Sequence, residues 1–321
     1  MATDEMGAHH SAADGRHITV QPNLSDNPIL AWERLRVKQE VEKVTPLDPS
    51  SPVPTDCVRF VCISDTHNTV EHVPDIIPQG DVLLHAGDFT KIGTPAEIDK
   101  FNHFLGTLPH KVKVVIAGNH DMTLDENSVQ NRRDDLCGWF NITNSKFEKY
   151  IEDHNVGSSK ELLTNCVYLE DSSVDICGIK IYGAPWVPEF CFMGFNIARG
   201  QPILDKWNLI PSDTDILITH GPPLGMYPDY SGTAGCFILL NTIQQRVKPK
   251  YHLYGHIHEG YGMSTDGTTT FINASMCTLR YKPDNPAVVI DVPLPDGHSK
   301  EELSAVFTPT SHVVMMLIRD Y

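Results

Sequence analysis

Short, nearly unbroken apolar runs that stop at polar clusters set the pattern of this chain. Residues 59–63, 81–86, 113–117 and 215–219 are dominated by Val, Ile, Leu and Phe, as expected of strands covered on both faces. Between the second and third runs lies a helix with a marked start: Thr94 as N-cap, Pro95 at the first position, Glu97 completing a capping box, then Ile98, Phe101 and Leu105 at helical spacing. Strand, helix, strand alternation predicts a parallel sheet, and ligands of such sheets gather beyond the strands' C-terminal ends.

The pattern is less regular elsewhere. Residues 1–27 lack periodicity and read as disordered. Spacing of Trp32, Leu35 and Val41 predicts a helix over 29–44, and the proline-rich stretch 45–55 reads as a linker. Residues 122–165 look polar and irregular around a helix at 145–154, and 167–182 reads as a hairpin turning at Cys177-Gly178. Trp186, Phe190, Phe192 and Phe195 cluster around Gly194, as a packed loop or as a wall for a nucleobase. A helix over 234–247, carrying Phe237, Leu240, Ile243 and Val247, precedes a strand at 251–254; two further strands are expected at 268–272 and 287–292. The expected division is an N-terminal extension (1–55), one domain (56–296) and a C-terminal tail (297–321), in which the apolar run 313–318 reads either as a docking segment or as a stretch without a task.

Composition narrows the function. At 321 residues and 40% hydrophobic content the chain can bury a large α/β core. A formal charge of −16 without a basic run disfavours long nucleic acid or an anionic membrane as partner, but a bound divalent metal would still let a phosphate in. Eight cysteines without a Cys-x-x-Cys pair read as reduced, packed thiols. No signal-like start and no run of membrane-spanning length is present, so a cytoplasmic location is expected, with the oligomeric state left open.

The polar residues that end the apolar runs carry the candidate chemistry. They are Asp65 and His67, Asp88, Asn119 with His120 and Asp121, His220, and His256 with His258. The last pair follows the strand at 251–254; in extended chain, positions i and i+2 leave on one side, which aims both rings into one space. Carboxylate, imidazole and a single amide suit Mn, Fe, Zn or Co rather than Ca or a thiolate-seeking ion.

Asp65-x-His67, Gly87-Asp88, Gly118-Asn119-His120-Asp121, His220 and Gly255-His256-x-His258 match, in order, the five sequence blocks of the calcineurin-like metallophosphoesterases. Residues 218–225 and 256–262 further resemble the animal metallophosphoesterase-domain proteins first noted in brain, within the class III cyclic nucleotide phosphodiesterase group. The resemblance implies a four-layer αββα sandwich with two divalent metals, manganese favoured. It implies that Asp65, His67 and His258 hold one ion, that Asn119, His220 and His256 hold the other, and that Asp88 bridges them. His120 is then the general acid, with Asp121 orienting its ring. The expected activity is hydrolysis of small phosphodiesters, 2′,3′- or 3′,5′-cyclic nucleotides among them, by a hydroxide that two metals activate. The alternatives are a phosphomonoesterase, a nuclease or protein phosphatase, and a metal- or nucleotide-binding scaffold without turnover.

Overall fold

The computed structural model describes residues 18–70, 74–154, 156–226 and 235–306. Two short helices, α1 (Pro22–Ser25) and α2 (Pro28–Leu35), precede strand β1 (Glu42–Val44). Then come β2 (Cys57–Ile63), β3 (Val82–His85), helix α3 (Pro95–Thr107) and β4 (Val112–Val115). Helices α4 (Glu126–Phe140) and α5 (Asn144–Asp153) lead to β5 (Val167–Tyr168), β6 (Ser172–Ile176) and β7 (Ile179–Ala184). A small pair, β8 (Val187–Pro188) and β9 (Asn196–Ile197), is followed by α6 (Gln201–Trp207), β10 (Ile216–Thr219), α7 (Phe237–Thr242) and β11 (Tyr251–Tyr254). The last elements are β12 (Gly262–Thr265), β13 (Thr270–Asn273), β14 (Val288–Pro293) and α8 (Leu303–Val306).

Two main sheets result, in the orders β14-β2-β3-β4-β5 and β1-β12-β13-β11-β10-β7-β6. Strands β2 to β5 pair in parallel, as do β7 with β10, β10 with β11 and β11 with β13. Alternate residues of one strand serve different layers. Phe60, Cys62, Ile216, Ile218 and Ile290 fill the core between the sheets. Val61 and Ile63 instead pack with Ile98, Phe101 and Leu105 of α3, while Leu217 and Phe271 pack with Trp207 of α6 and Leu240 of α7. The layers are therefore α, β, β, α, as expected. The start of α3 is also as read: Glu97 N–H donates to Thr94 Oγ1 (3.2 Å) and Thr94 N–H to Glu97 Oε2 (3.0 Å).

Four expectations change. Residues 18–27 are ordered, with Ile18 and Leu24 buried beside Ala31 and Trp207; ten residues with two apolar anchors show no period to read. The helix expected over 29–44 ends at Leu35 with one further tight turn, and residues 42–44 pair antiparallel with β12, covering that sheet's edge. The hairpin expected over 167–182 divides: β6 and β7 turn at Cys177-Gly178, whereas β5 joins β4 in the other sheet. In the stretch read as irregular, α4 forms on a polar sequence capped by Asp125, whose side chain accepts from Asn127 N–H (3.1 Å). Leu303, in the stretch expected as the C-terminal tail, is buried in the inter-sheet core. Residues 313–318 and most of the expected disordered start lie outside the described residues. No helix among the described residues is long and apolar enough to cross a membrane.

A buried histidine on β11 gives the fold an acid limit. Thr219 donates its hydroxyl to Gly221 O (2.7 Å), so His252 Nε2 must carry the proton that bridges to Thr219 Oγ1 (2.8 Å). Among the described residues His252 Nδ1 has no partner, and burial holds the ring down at about 3. The unfolded chain takes up this proton near pH 6.5, so the contribution of a neutral His252 is complete above that pH and falls away as pH drops toward about 3. By about pH 5 the loss is about 2 kcal/mol. Urea denaturation at a series of pH values should show a shallower fall in His252→Leu than in the parent protein; parallel curves would contradict this.

Candidate metal centre

Five strand ends from both sheets converge at one edge of the sandwich. Asp65 and His67 follow β2, Asp88 follows β3, Asn119 and His120 follow β4, His220 follows β10, and His256 and His258 follow β11. An isolated bridge between Ser64 and Ser275 joins the end of β2 to the chain after β13 and draws the two sheets together here. Three donor sets each lie within 4.8 Å: Asp65, His67 and His258; His67, Asp88 and His120; Asp88, His220 and His256. Asn119 completes the last group, its Oδ1 3.0 Å from His220 Nε2.

The backbone is forced to make this convergence. Asp65, His67, Asp88 and His256 all adopt positive φ (52°, 43°, 55° and 67°), a region that side-chain-bearing residues enter at a cost. Main-chain bonds hold them there: Asp65 N–H to Gly87 O (2.9 Å) and His67 N–H to Asp88 O (3.0 Å). The motif glycines make room. A Cβ on Gly255 would lie 2.0 Å from Asp65 Oδ2, and one on Gly118 would lie 2.3 Å from Asp88 Oδ1 and 2.6 Å from His220 Cε1.

His256 and His258 do meet the site, but not by strand alternation. Strand β11 ends at Tyr254, His256 turns left-handed and His258 starts a tight turn. The two rings consequently join different donor sets.

The histidines are oriented by backbone carbonyls. Nδ1 of His67 faces Thr90 O (2.9 Å), that of His220 Ala86 O (2.8 Å), and that of His258 Thr278 O (3.1 Å). A carbonyl can only accept, so Nδ1 carries a proton and Nε2 is the nitrogen turned inward. His67 Nε2 and His258 Nε2 face each other at 3.4 Å. Asp65 and Asp88 are 0% and 2% exposed, and among the described residues neither is paired with Lys or Arg. Buried carboxylates without a cation are costly. Burial works against charge on His220 and His258, yet Asp88 beside the one and Asp65 beside the other push both up to about 9. His67 and His256, by contrast, are held down at about 4 by burial. A donor set of this kind fits divalent cations, which would take the place of the protons that His220 and His258 otherwise hold toward Asp88 and Asp65.

The two residues expected to act in catalysis sit differently. His120 is 21% exposed, its Nδ1 donates to Lys91 O (2.6 Å) and its Nε2 lies 3.9 Å from Asp88 Oδ2. Asp121 does not touch that ring. Its buried carboxylate accepts from Asp88 N–H (2.9 Å), Gly118 N–H (2.8 Å), Thr90 N–H (2.9 Å) and Thr90 Oγ1 (2.6 Å), tying the Asp88 and Asn119 loops together. The His120 ring thus has the Lys91 carbonyl as its hydrogen-bond partner, while the carboxylate of the adjacent Asp121 is turned to the Asp88 and Gly118 loops. Burial and the Asp88 charge push the Asp121 carboxyl up, and these hydrogen bonds pull it back.

Several contributors escaped the sequence reading. Ser275 donates to Asp65 Oδ2 (2.7 Å) from a segment with no motif, and His85 accepts the N–H of Gly87 at its Nδ1 (3.2 Å) from inside an apolar strand. Tyr281 stands 4.8 Å from the His67 ring, between centroids, with no signal in its neighbourhood.

Comparison with known proteins agrees with this geometry. A calcineurin-like phosphoesterase family model matches residues 58–260. Metallophosphoesterase domain-containing protein 1 of Mus musculus is 48% identical over 88% of this chain and 87% of its own length; the Homo sapiens protein of that name is 49% identical over 84% of each. More distantly, a 3',5'-cyclic-nucleotide phosphodiesterase of Nostoc is 22% identical over 63% of this chain and 66% of its own. With its layered sheets, its ring of aspartates and histidines at their shared edge, and a family match that spans every one of those residues, the chain belongs to the calcineurin-like phosphoesterases.

Proposed function

We propose that this protein hydrolyses small phosphodiesters, cyclic nucleotides among them, at a centre of two divalent cations, with manganese the preferred ion. Asp65, His67 and His258 hold one ion, Asn119, His220 and His256 hold the other, and Asp88 lies between. The observation that carries this reading is the pair of buried aspartates surrounded by imidazoles whose Nδ1 atoms are already committed to carbonyls. When bound, such ions supply a nucleophile at neutral pH and offset the charge of the phosphoryl group. The choice of diester draws on the likeness to the Nostoc 3',5'-cyclic-nucleotide phosphodiesterase and on the sequence resemblance to its class. The acidic surface argues for a small substrate rather than long nucleic acid.

His120 acts on the leaving group. Its Nδ1 proton is fixed on Lys91 O, so the transferable proton resides on Nε2, which lies 3.9 Å from Asp88 Oδ2. From Nε2 that proton passes to the departing alkoxide. Partial exposure leaves this atom within reach of substrate, unlike the fully buried rings of His67 and His220.

Protein reconstituted with manganese, and separately with zinc, should cleave small diesters faster than the matching monoesters; turnover of monoesters alone would establish the phosphomonoesterase reading instead. His120→Ala should keep its metal while kcat falls on the order of 10²–10⁴-fold, most for alkyl leaving groups and least for nitrophenolate. Undiminished turnover of an alkyl diester by this variant would remove His120 from the mechanism. In Gly255→Ala the added methyl intrudes on Asp65, and metal affinity should weaken about 10–100-fold with the fold intact by circular dichroism. Unaltered metal content there, or in Asp88→Ala, would sink the assignment of ligands. Two tightly bound metals without hydrolysis of any phosphoester would favour a scaffold.

A further inference from the structure

We propose that Phe190 and Tyr281 are the specificity-determining residues of this centre, each an aromatic wall for one organic arm of a phosphodiester; this rests on the phosphoesterase reading above. The two come from separate loops and stand at different donor sets. Tyr281 makes an edge contact with His67 (4.8 Å between centroids, 73° between planes) and lies 5.8 Å from His258 and 6.3 Å from His120. Phe190 stands at the other set, 6.1 Å from His256 and perpendicular to it, and His256 is in turn 5.1 Å from His220.

Neither ring is spent on the core. Phe190 is 60% and Tyr281 47% exposed, whereas Phe195 of the same aromatic stretch is buried and Trp186 packs against the core. The earlier choice between packed loop and substrate wall thus divides the stretch rather than deciding it.

Both walls are held in place at some conformational expense. Tyr281 has φ 55°, and its loop closes through Tyr281 N–H to Thr278 O and Thr278 N–H to Lys282 O, each 2.8 Å. Thr278 O also receives His258 Nδ1 (3.1 Å), so the tyrosine is anchored to a proposed ligand. Beyond Phe190, Cys191 and Phe192 both have φ 54°, and the loop is fastened by Phe190 N–H to Asn196 Oδ1 and by Arg132 to Phe192 O. A bulky residue kept left-handed at the rim of a site signals a position fixed for use rather than for packing.

Chemistry assigns the arms. Cations and the proton donor handle the phosphoryl group, to which an apolar ring adds nothing. The substituents on phosphorus extend away from it, and a planar one stacks on an exposed ring. His120 lies on the Tyr281 side, so the departing arm runs along Tyr281 and the retained arm along Phe190. A monoester would leave the Phe190 wall idle.

The test uses the metal-loaded full chain with bis(p-nitrophenyl) phosphate, which has two planar arms, and methyl p-nitrophenyl phosphate, whose one planar arm departs. Phe190→Ala should lower kcat/KM about tenfold on the first substrate and leave the second within about twofold. Tyr281→Ala should lower both about tenfold, and Tyr281→Phe, which keeps the ring, should stay within about twofold of the parent. Calorimetry with diphenyl and dimethyl phosphate supplies a readout independent of turnover: the parent's preference for the diphenyl compound should shrink in each alanine variant. Equal losses on both substrates in Phe190→Ala, a Tyr281→Phe as impaired as Tyr281→Ala, or metal lost from Phe190→Ala would each overturn the proposal. Should the parent cleave no phosphoester at all, the catalytic reading fails on its own, and the calorimetric preference still decides the walls.

Discussion

Two carboxylates buried side by side without a fixed cation are the condition to which the rest of this structure answers. Asp65 and Asp88 sit at neighbouring strand ends of one sheet, almost wholly out of water, and every group around them either donates to them or is poised to share a positive charge with them. Such an arrangement is stable only if the surrounding loops cannot relax away from it. The two sheets therefore meet edge to edge at Ser64 and Ser275, and the left-handed residues Asp65, His67, Asp88 and His256 each cost roughly 1 kcal/mol or more to maintain. Asp121 offsets part of this by gathering the Asp88 and Gly118 loops on one carboxylate.

That dependence explains why the site was more legible than its supports. Metal-competent side chains announce themselves as polar residues that interrupt apolar runs, and Asp65, Asp88, Asn119, His220 and His256 all interrupt one. The atoms that orient them are mostly carbonyls of Ala86, Thr90, Lys91 and Thr278, and a carbonyl has no letter in the sequence. The histidine pair shows the difference in another way: its membership of the centre was visible, but the extended-chain reasoning for it was not what the chain does, because a turn delivers His256 and His258 to different donor sets.

The fold shows the same division. Strands covered on both faces read clearly, since Phe60, Ile216 and Ile290 serve the core between the sheets, Val61 and Val289 the layer under α3, and Leu217 the layer under α6 and α7, leaving few polar positions to blur the run. Where an element has one weak face the sequence was quieter. Helix α4 carries few apolar residues and an internal kink at Arg132, and β5 is two residues long, so neither declared its sheet or its type. Residues 18–44 bury Ala31 completely and set Trp32 against Gly225, the fifth residue beyond His220. They read as an appendage only because contacts made across the chain have no local period.

Exposure within the centre is graded from floor to rim. Asp65, His67 and His220 are closed to solvent, His258 is 10% and His120 21% exposed, and the aromatic rim stands open. Groups that must keep their geometry are locked by carbonyls and strained backbone, where low dielectric strengthens every charge interaction. His258, His120 and the aromatic rim lie progressively outward. The floor of the site, where divalent cations would offset the two aspartates, is thus distinct from its rim, where the uncharged rings of Phe190 and Tyr281 stand open.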